Sequence, residues 1–176
     1  SDIDLYVNAC KILTDDGLTV IRMGKQMNKR IPSDNTKIID YAFLEDKSDL
    51  MDIWLFANCK FCISTGTGID AISDIYRKPI MYINHNPLGF FHTWSDHIIV
   101  PKILEWKDTN INLTLKENLE HCYLEKHLYD KNGIGIKDLG EKCIVEAFKE
   151  RNKRVNKTWK ETKDDIARQN IFFEKF

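Results

Sequence analysis

Residues 61–70 place hydroxyl and glycine residues between an apolar run and a predicted helix, the order that a phosphate-binding turn requires. The apolar run at 61–63 predicts a short strand, and the pattern after the turn predicts a helix over residues 67–76. Glycine permits positive φ and a close approach to a ligand, while the free N–H groups of a helix start attract anions. We therefore expect a phosphate group to bind at Ser64, Thr65, Gly66, Thr67 and Gly68.

This 64–70 turn does not have the spacing of the common nucleotide-binding loops. A Gly-Lys-Ser/Thr triplet is missing, which excludes a Walker loop. Ala71 stands where a dinucleotide-binding fingerprint requires its third glycine. The alternative to phosphate binding is a structural strand-to-helix turn in which Thr67 caps the helix. Asp70 either lines a pocket, caps the helix or pairs with Arg22.

Arg22 is the strongest candidate for a second phosphate ligand. It stands at the end of an apolar strand predicted over residues 18–23, where an unpaired charge is costly to bury. A guanidinium group at this position can grip a phosphate with two parallel hydrogen bonds. Its alternative role is a structural salt bridge with Asp40 or Asp70. Lys25, in the loop that follows, is a weaker second cation.

A second polar segment follows the strand predicted over residues 79–83. Asn84 and His85 begin it, and an aromatic stretch at residues 89–94 continues it. Such a loop can line a pocket for a base or a sugar, or it can pack on the sheet edge through its own aromatic rings. His85 and His92 are candidates for a general base, but their positions alone give this role little support.

The elements that position these residues alternate between helix and strand. Helices are predicted over residues 2–15, ended by Gly17, and over 49–58, capped by Ser48. Further strands are predicted at residues 37–40 and 97–100. Apolar strands between helices indicate a parallel sheet with both faces covered, so we expect a doubly wound α/β fold. In the 49–58 helix we expect a buried face of Leu50, Ile53, Trp54 and Ala57.

The chain reads as one domain with a helical C-terminus. Residues 1–110 form the predicted nucleotide-binding core, and residues 111–176 form a C-terminal helical segment, with a break at 132–135. Residues 149–163 carry seven basic and two acidic side chains. A basic helix of this kind either contacts an anionic membrane surface or is solvated, or packs against another lobe.

Composition excludes several classes of protein. The formal net charge of −1 argues against a nucleic-acid partner. No run approaches the roughly 18 apolar residues of a membrane span, and no leader peptide is recognisable, so we expect a cytoplasmic location. Cys59 and Cys62 form a C-x-x-C pair, but no second pair follows at zinc spacing, which favours packed thiols. The Asp-x-Asp triplet at Asp2 and Asp4 fits a helix cap, so no metal is expected.

Several of these segments together resemble a known family. Taken in order, residues 20–24, 39–41, 48–52 and 57–61, followed by the 64–70 turn, are similar to bacterial glycosyltransferases of the GT-B type. The similarity is more distant to the heptosyltransferases of lipopolysaccharide synthesis and to the α1,6-fucosyltransferases. It covers residues 1–83. Heptosyltransferases have an acidic residue inside the turn, where this chain has Thr65 or Gly66, and this departure leaves the donor sugar open.

The resemblance implies a function for the predicted phosphate ligands. Arg22 and the turn would bind the diphosphate of a nucleotide-sugar, with no metal and no other cofactor, at the inner face of the membrane or free in the cytoplasm. The resemblance also implies an N-terminal acceptor lobe outside this sequence, which would supply the catalytic base. The expected reaction transfers a sugar to a cell-surface glycan or its lipid-linked precursor. The alternatives are a nucleotide-sugar epimerase and a non-catalytic nucleotide-binding or scaffold module.

Overall fold

The computed structural model describes residues 2–25, 27–90 and 96–175. Within these ranges it contains both helices and strands, as the alternating pattern predicts. The helices are α1 (Val7–Asp15), α2 (Asp49–Asn58), α3 (Ala71–Ile75), α4 (Leu115–Glu120), α5 (Lys126–Lys131), α6 (Glu141–Val155) and α7 (Lys163–Lys175). The strands are β1 (Val20–Ile21), β2 (Ile38–Ile39), β3 (Cys62–Ser64), β4 (Ile80–His85), β5 (His97–Pro101), β6 (Ile103–Trp106) and β7 (Ile134–Lys137).

α2 begins at its predicted cap, whereas α1 begins only at Val7, after a 3₁₀ turn that carries the cap predicted near residue 2. The Asp2 carboxylate accepts a hydrogen bond from the backbone N–H of Asp4 and opens a 3₁₀ turn that leads into α1. After α1, the chain turns at Gly17, which has a φ of +85° that other residues rarely adopt. The hydroxyl of Ser48 accepts a hydrogen bond from the N–H of Met51 at the start of α2. These cap predictions are confirmed.

The central sheet is parallel, and its strands follow one another in chain order, β3-β4-β5. β1 and β2 form a second parallel pair. β1 is shorter than the strand that the apolar run at residues 18–23 predicts. Because parallel strands share a direction, the carboxyl ends of β3, β4 and β5 lie at the same end of the central sheet. We call this end of the sheet its carboxyl edge. That edge carries the 64–70 turn.

Helices cover both faces of the central sheet, as the side chains of β4 show. Met81 and Ile83 pack on one face with residues of α1 and α6. Ile80 and Tyr82 alternate with them and pack on the other face, against Phe56 of α2 and Ile72 of α3. This is a mixed α/β fold whose central sheet lies between two helical layers.

The C-terminal third is mainly helical but contains one strand that the sequence pattern does not reveal. β7 begins within the predicted break at residues 132–135 and pairs with β6 in an antiparallel ribbon. A small core of Leu104, Leu113, Tyr129 and Ile134 fills the space beneath it. The ribbon joins residues on both sides of position 110, the predicted limit of the nucleotide-binding core.

The predicted buried face of α2 is confirmed at Ala57 and is wrong at its other three positions. Phe56 and Ala57 are buried, whereas Leu50, Ile53 and Trp54 are exposed. Phe56 instead fills the space between α2 and the central sheet. The apolar stripe of α2 therefore points away from this core.

The basic segment 149–163 spans the second half of α6 and the connection to α7. Arg151 is buried, and Arg154 forms ion pairs with Glu150 and Glu161. The lysines that remain exposed are Lys153, Lys157, Lys160 and Lys163. In the described part of the chain, no helix has the length and apolar character to cross a membrane.

Candidate functional site

The 64–70 turn is organised around the buried carboxylate of Asp70. Oδ2 of Asp70 accepts hydrogen bonds from the hydroxyl of Ser64 and from the backbone N–H of Thr67. The Ser64 hydroxyl in turn accepts a hydrogen bond of 3.0 Å from the N–H of Gly66. Asp70 therefore occupies the inner side of the turn and holds its shape. Of the roles left open for Asp70, the contacts among described residues show this internal one and include no ion pair with Arg22.

The helix after the turn begins later than the sequence pattern predicts. α3 starts at Ala71, not at Thr67, and the side chain of Thr67 does not cap it. The helix is displaced because the Thr67 N–H bonds to Asp70 and residues 66 and 68 take positive φ angles of +81° and +83°. Within the described residues, the N–H groups of Thr65 and Gly68 and the hydroxyls of Thr65 and Thr67 form no hydrogen bond. These four groups are the donors that the turn can offer to a ligand.

His85 lies directly against this turn. A Cβ atom added at Gly66 would lie 3.7 Å from Nδ1 of His85, so a side chain at this position would contact the imidazole. Gly66, two residues after β3, and His85, the last residue of β4, therefore lie close together at the carboxyl edge of the sheet. The sequence alone predicted them separately, as a turn residue and as a pocket-lining residue.

A β-bulge at Asn84 explains how His85 reaches the turn. Ile83 pairs with Val100 and His85 with Pro101, so Asn84 is the extra residue on β4. In a regular strand, residues 82 and 85 would point to opposite faces of the sheet. The bulge turns His85 to the face of Tyr82, and their ring centroids are 5.4 Å apart.

The hydrogen bond of His85 determines the tautomer of its neutral imidazole ring. It leaves Nδ1, on the side of the turn, as a hydrogen-bond acceptor. Nε2 lies 2.7 Å from the backbone oxygen of Phe90. Because a carbonyl oxygen only accepts, Nε2 must donate its proton, and the neutral ring then carries its lone pair on Nδ1. Nδ1 is the imidazole atom nearest to a Cβ atom built at Gly66. The imidazole can therefore accept a hydrogen bond from a ligand hydroxyl, or donate one to a phosphate if the ring is protonated.

Asn84 itself points into the protein. Its Nδ2 donates to the hydroxyl of Tyr6 (2.9 Å), and its Oδ1 accepts from the N–H of Leu139 (2.7 Å). Asn84 has a φ of +52° and is buried. The side chain therefore links β4 to the N-terminal turn and to the start of α6, and its contribution to the site is to shape the bulge.

Arg22 forms the salt bridge that the sequence left as its alternative role. Nη1 lies 3.1 Å from Oδ2 of Asp40 and donates a 2.8 Å hydrogen bond to the backbone oxygen of Lys29. Asp40 also accepts from the N–H of Ile31, so the pair closes the loop between β1 and β2. Nε and Nη2 of Arg22 bond to no described residue. Lys25, in the same loop, is exposed.

No hydrogen bond or ion pair joins Arg22 to the 64–70 turn within the described part of the chain. The two are related through packing. Met23, the next residue, lies against the cluster that contains Cys62 of β3 and Tyr82 of β4. The residue after Arg22 therefore shares an apolar cluster with β3 and β4.

A row of buried polar side chains, formed by Tyr82, His97 and Asp74, lies next to the site. The sequence pattern did not predict it. Tyr82 lies between two imidazoles, with ring centroids 5.4 Å from both His85 and His97. Nε2 of His97 lies 3.4 Å from Oδ1 of Asp74 on α3. Burial, together with the nearby carboxylates of Asp70 and Asp74, raises the pKa of Tyr82 to about 12. The Tyr82 phenol therefore stays protonated and neutral at physiological pH. The only sequence signal for this row was one polar residue within each of two apolar strands, Tyr82 in β4 and His97 in β5.

His92, the second candidate base, lies outside the described residues, as does most of the aromatic stretch at 89–94. Among the residues that are described, no group of three or more His, Cys, Asp or Glu side chains is arranged to hold a metal ion.

No protein-family model matches the chain, and comparisons with curated proteins and with solved structures found no match either. The resemblance to GT-B glycosyltransferases thus rests on the residue patterns described above, and it stays a prediction.

Proposed function

We propose that the chain is the nucleotide-sugar-binding domain of a GT-B-type glycosyltransferase. In this proposal its parallel sheets belong to one doubly wound, Rossmann-like arrangement, and the donor diphosphate binds at the carboxyl edge of β3 and β4. The partner substrate is a cell-surface glycan or its lipid-linked precursor, held by an acceptor lobe outside this sequence.

The observation that carries the proposal is the meeting of the 64–70 turn and His85 at one sheet edge. Gly66 lies two residues after β3, His85 ends the neighbouring parallel strand β4, and a Cβ atom built at Gly66 would lie 3.7 Å from Nδ1 of His85. Ligands of open α/β folds bind at the carboxyl ends of the strands. Since four polar groups of the turn form no hydrogen bond with any described residue, this edge offers hydrogen-bond donors to an incoming anion.

Every group that would bind the diphosphate is a hydrogen-bond donor. Thr65 and Gly68 would offer backbone N–H groups, and the threonine hydroxyls would donate beside them. Arg22 would approach through Nε and Nη2, while Nη1 stays on Asp40. Charge-assisted bonds of this kind contribute about 1.5–3 kcal/mol each. The buried Asp70 carboxylate would direct the phosphate oxygens outward, because two anions repel at short range.

The distribution of exposed lysines agrees with the proposed lipid-linked sugar acceptor. Lys153, Lys157, Lys160 and Lys163 are exposed together near the C-terminus. In the proposal they attract the enzyme to an anionic membrane surface that carries the lipid-linked acceptor. The catalytic base belongs to the acceptor lobe, so no catalytic residue is assigned in this chain.

A matched pair of glycine substitutions tests the proposed site. Gly66 and Gly17 have φ angles of +81° and +85°, so alanine at either position is expected to lower the free energy of unfolding by about 1–2 kcal/mol. Only Gly66→Ala should also weaken nucleoside diphosphate binding, by at least tenfold, because its methyl group would enter the space beside His85. Calorimetric titration of both folded variants measures the difference. Equal binding by Gly66→Ala and Gly17→Ala would remove the turn from the site.

A further inference from the structure

α2 presents its apolar stripe to the outside of the protein. Leu50 is 77% exposed and Trp54 is 57% exposed, and Met51 and Ile53 are exposed beside them. Large apolar side chains spaced at i, i+3 and i+4 are typical of a helix face that packs against a partner. In the described residues this face has no partner element, because the contacts of α2 with the central sheet run through Phe56.

The neighbouring helix α3 also has exposed apolar side chains. The hydroxyl of Ser73 on α3 donates a 2.9 Å hydrogen bond to the backbone oxygen of Phe56 on α2, so the two helices are in direct contact. Ile75 and Tyr76 at the end of α3 are also exposed. We call the exposed apolar side chains of α2 the α2 surface, formed by Leu50, Met51, Ile53 and Trp54. A cluster of large exposed apolar side chains on one helix marks an interaction site on many proteins.

Charge is distributed unevenly along the α2 surface. Its N-terminal end carries exposed acidic residues at positions 45, 46 and 49. Its C-terminal end carries Lys60, whose ammonium group bonds only to the neutral amide oxygen of Asn156 among described residues, and Lys78. One end of the helix is therefore negative and the other positive, with the apolar stripe between them.

We propose that the α2 surface binds the α2 surface of a second copy of this chain across a two-fold axis. With the two helices antiparallel, the acidic end of each helix lies over the basic end of the other. The two helix dipoles then point in opposite directions, which is also favourable. Trp54 lies midway between Asp49 and Lys60 in sequence, so the two copies of Trp54 meet close to the axis. Buried aromatic residues at the centre of an interface usually supply most of the binding energy.

The charge pattern favours a second copy over a membrane surface. An anionic bilayer would repel the acidic end of α2, whereas an identical surface satisfies both ends at once. The inference is independent of the proposed nucleotide site, since it uses none of the residues of the 64–70 turn.

Sedimentation velocity over a range of concentrations tests the proposal. We expect a monomer–dimer equilibrium whose dissociation constant rises at least tenfold in Trp54→Glu. Ile171→Glu is the matched control, because Ile171 is 52% exposed on α7 and does not belong to the α2 surface; it should leave the equilibrium unchanged. Leu50→Glu is a second variant in case Trp54→Glu does not fold. A monomer at every concentration, including one that binds anionic vesicles instead, would overturn the proposal.

A charge exchange tests the antiparallel arrangement directly. Asp49→Lys should weaken the dimer, and the double variant Asp49→Lys with Lys60→Glu should restore it, because the exchanged charges again face each other across the axis. Failure of the double variant to recover dimerisation would contradict this arrangement.

Discussion

Replacing Asp96 with alanine is expected to lower the free energy of unfolding by about 3 kcal/mol. Arg151 on α6 is 0% exposed, and its two terminal nitrogens donate hydrogen bonds of 3.0 and 2.7 Å to the Asp96 carboxylate. Without Asp96 the guanidinium group stays buried and unpaired. The effect belongs at the lower end of the range for buried ion pairs, because the Asp96 side chain is itself 64% exposed.

Arg151→Met is the matched control for this pair. Methionine removes the buried charge and keeps much of the side-chain volume, and it leaves only an exposed carboxylate behind. Its loss of stability should therefore be smaller than that of Asp96→Ala. Chemical denaturation of both variants at neutral pH measures the two losses. Equal losses would show that packing, not the unpaired guanidinium, decides the effect.

The same pair makes a prediction about acid stability. Hydrogen bonds from Arg151, more than its charge, lower the pKa of Asp96 below its ordinary value of 3.8. A carboxylate with a lowered pKa in the folded state stabilises the fold fully above the unfolded pKa and loses this effect as pH falls through the folded pKa. The difference in stability between the wild type and Asp96→Ala should thus be constant at neutral pH and shrink below about pH 3.8.

The second large effect is expected at Asn84, where alanine should lower the free energy of unfolding by about 2–4 kcal/mol. The change leaves the N–H of Leu139 and the hydroxyl of Tyr6 without the hydrogen bonds that Asn84 supplies. It also forces alanine into a φ of +52°, which asparagine tolerates better.

Two further variants separate these causes by the same denaturation measurement. Asn84→Gly loses the hydrogen bonds but accepts the positive φ, so it should be more stable than Asn84→Ala by about 1 kcal/mol. Tyr6→Phe removes a single hydrogen bond and should cost about 1 kcal/mol. If Asn84→Ala were as stable as the wild type, the bulge would not depend on this side chain.

Local sequence signals were sufficient for much of the fold. Ser48 and Gly17 mark helix ends through chemistry within a few residues, and the apolar runs at 79–83 and 97–100 form β4 and β5. β7 escaped prediction because its partner β6 lies about thirty residues earlier, and glycines at 133 and 135 suggested only a break. Periodicity found the apolar stripe of α2, but it contains no information on which neighbour covers that stripe.

The candidate site was predictable in its parts and not in its assembly. The turn after β3 was identified from its glycines and hydroxyls, but not the buried Asp70 that fills its inner side and displaces the helix start. The bulge that brings His85 to Gly66 depends on strand pairing that no local pattern specifies. For Arg22, the salt bridge to Asp40 was one of two roles left open, and phosphate binding through its other two nitrogens stays a prediction.

The most direct test of the account is titration of the chain with nucleoside diphosphates, beside Arg22→Ala and the control Asp40→Asn. Asp40→Asn breaks the same salt bridge but keeps the guanidinium group, so it separates phosphate binding from loop structure. We expect one nucleoside diphosphate to bind with a Kd of roughly 10 µM to 1 mM. Arg22→Ala should weaken it at least tenfold, and Asp40→Asn should not. Absence of binding to the folded chain, or equal binding by Arg22→Ala, would contradict the proposed donor site.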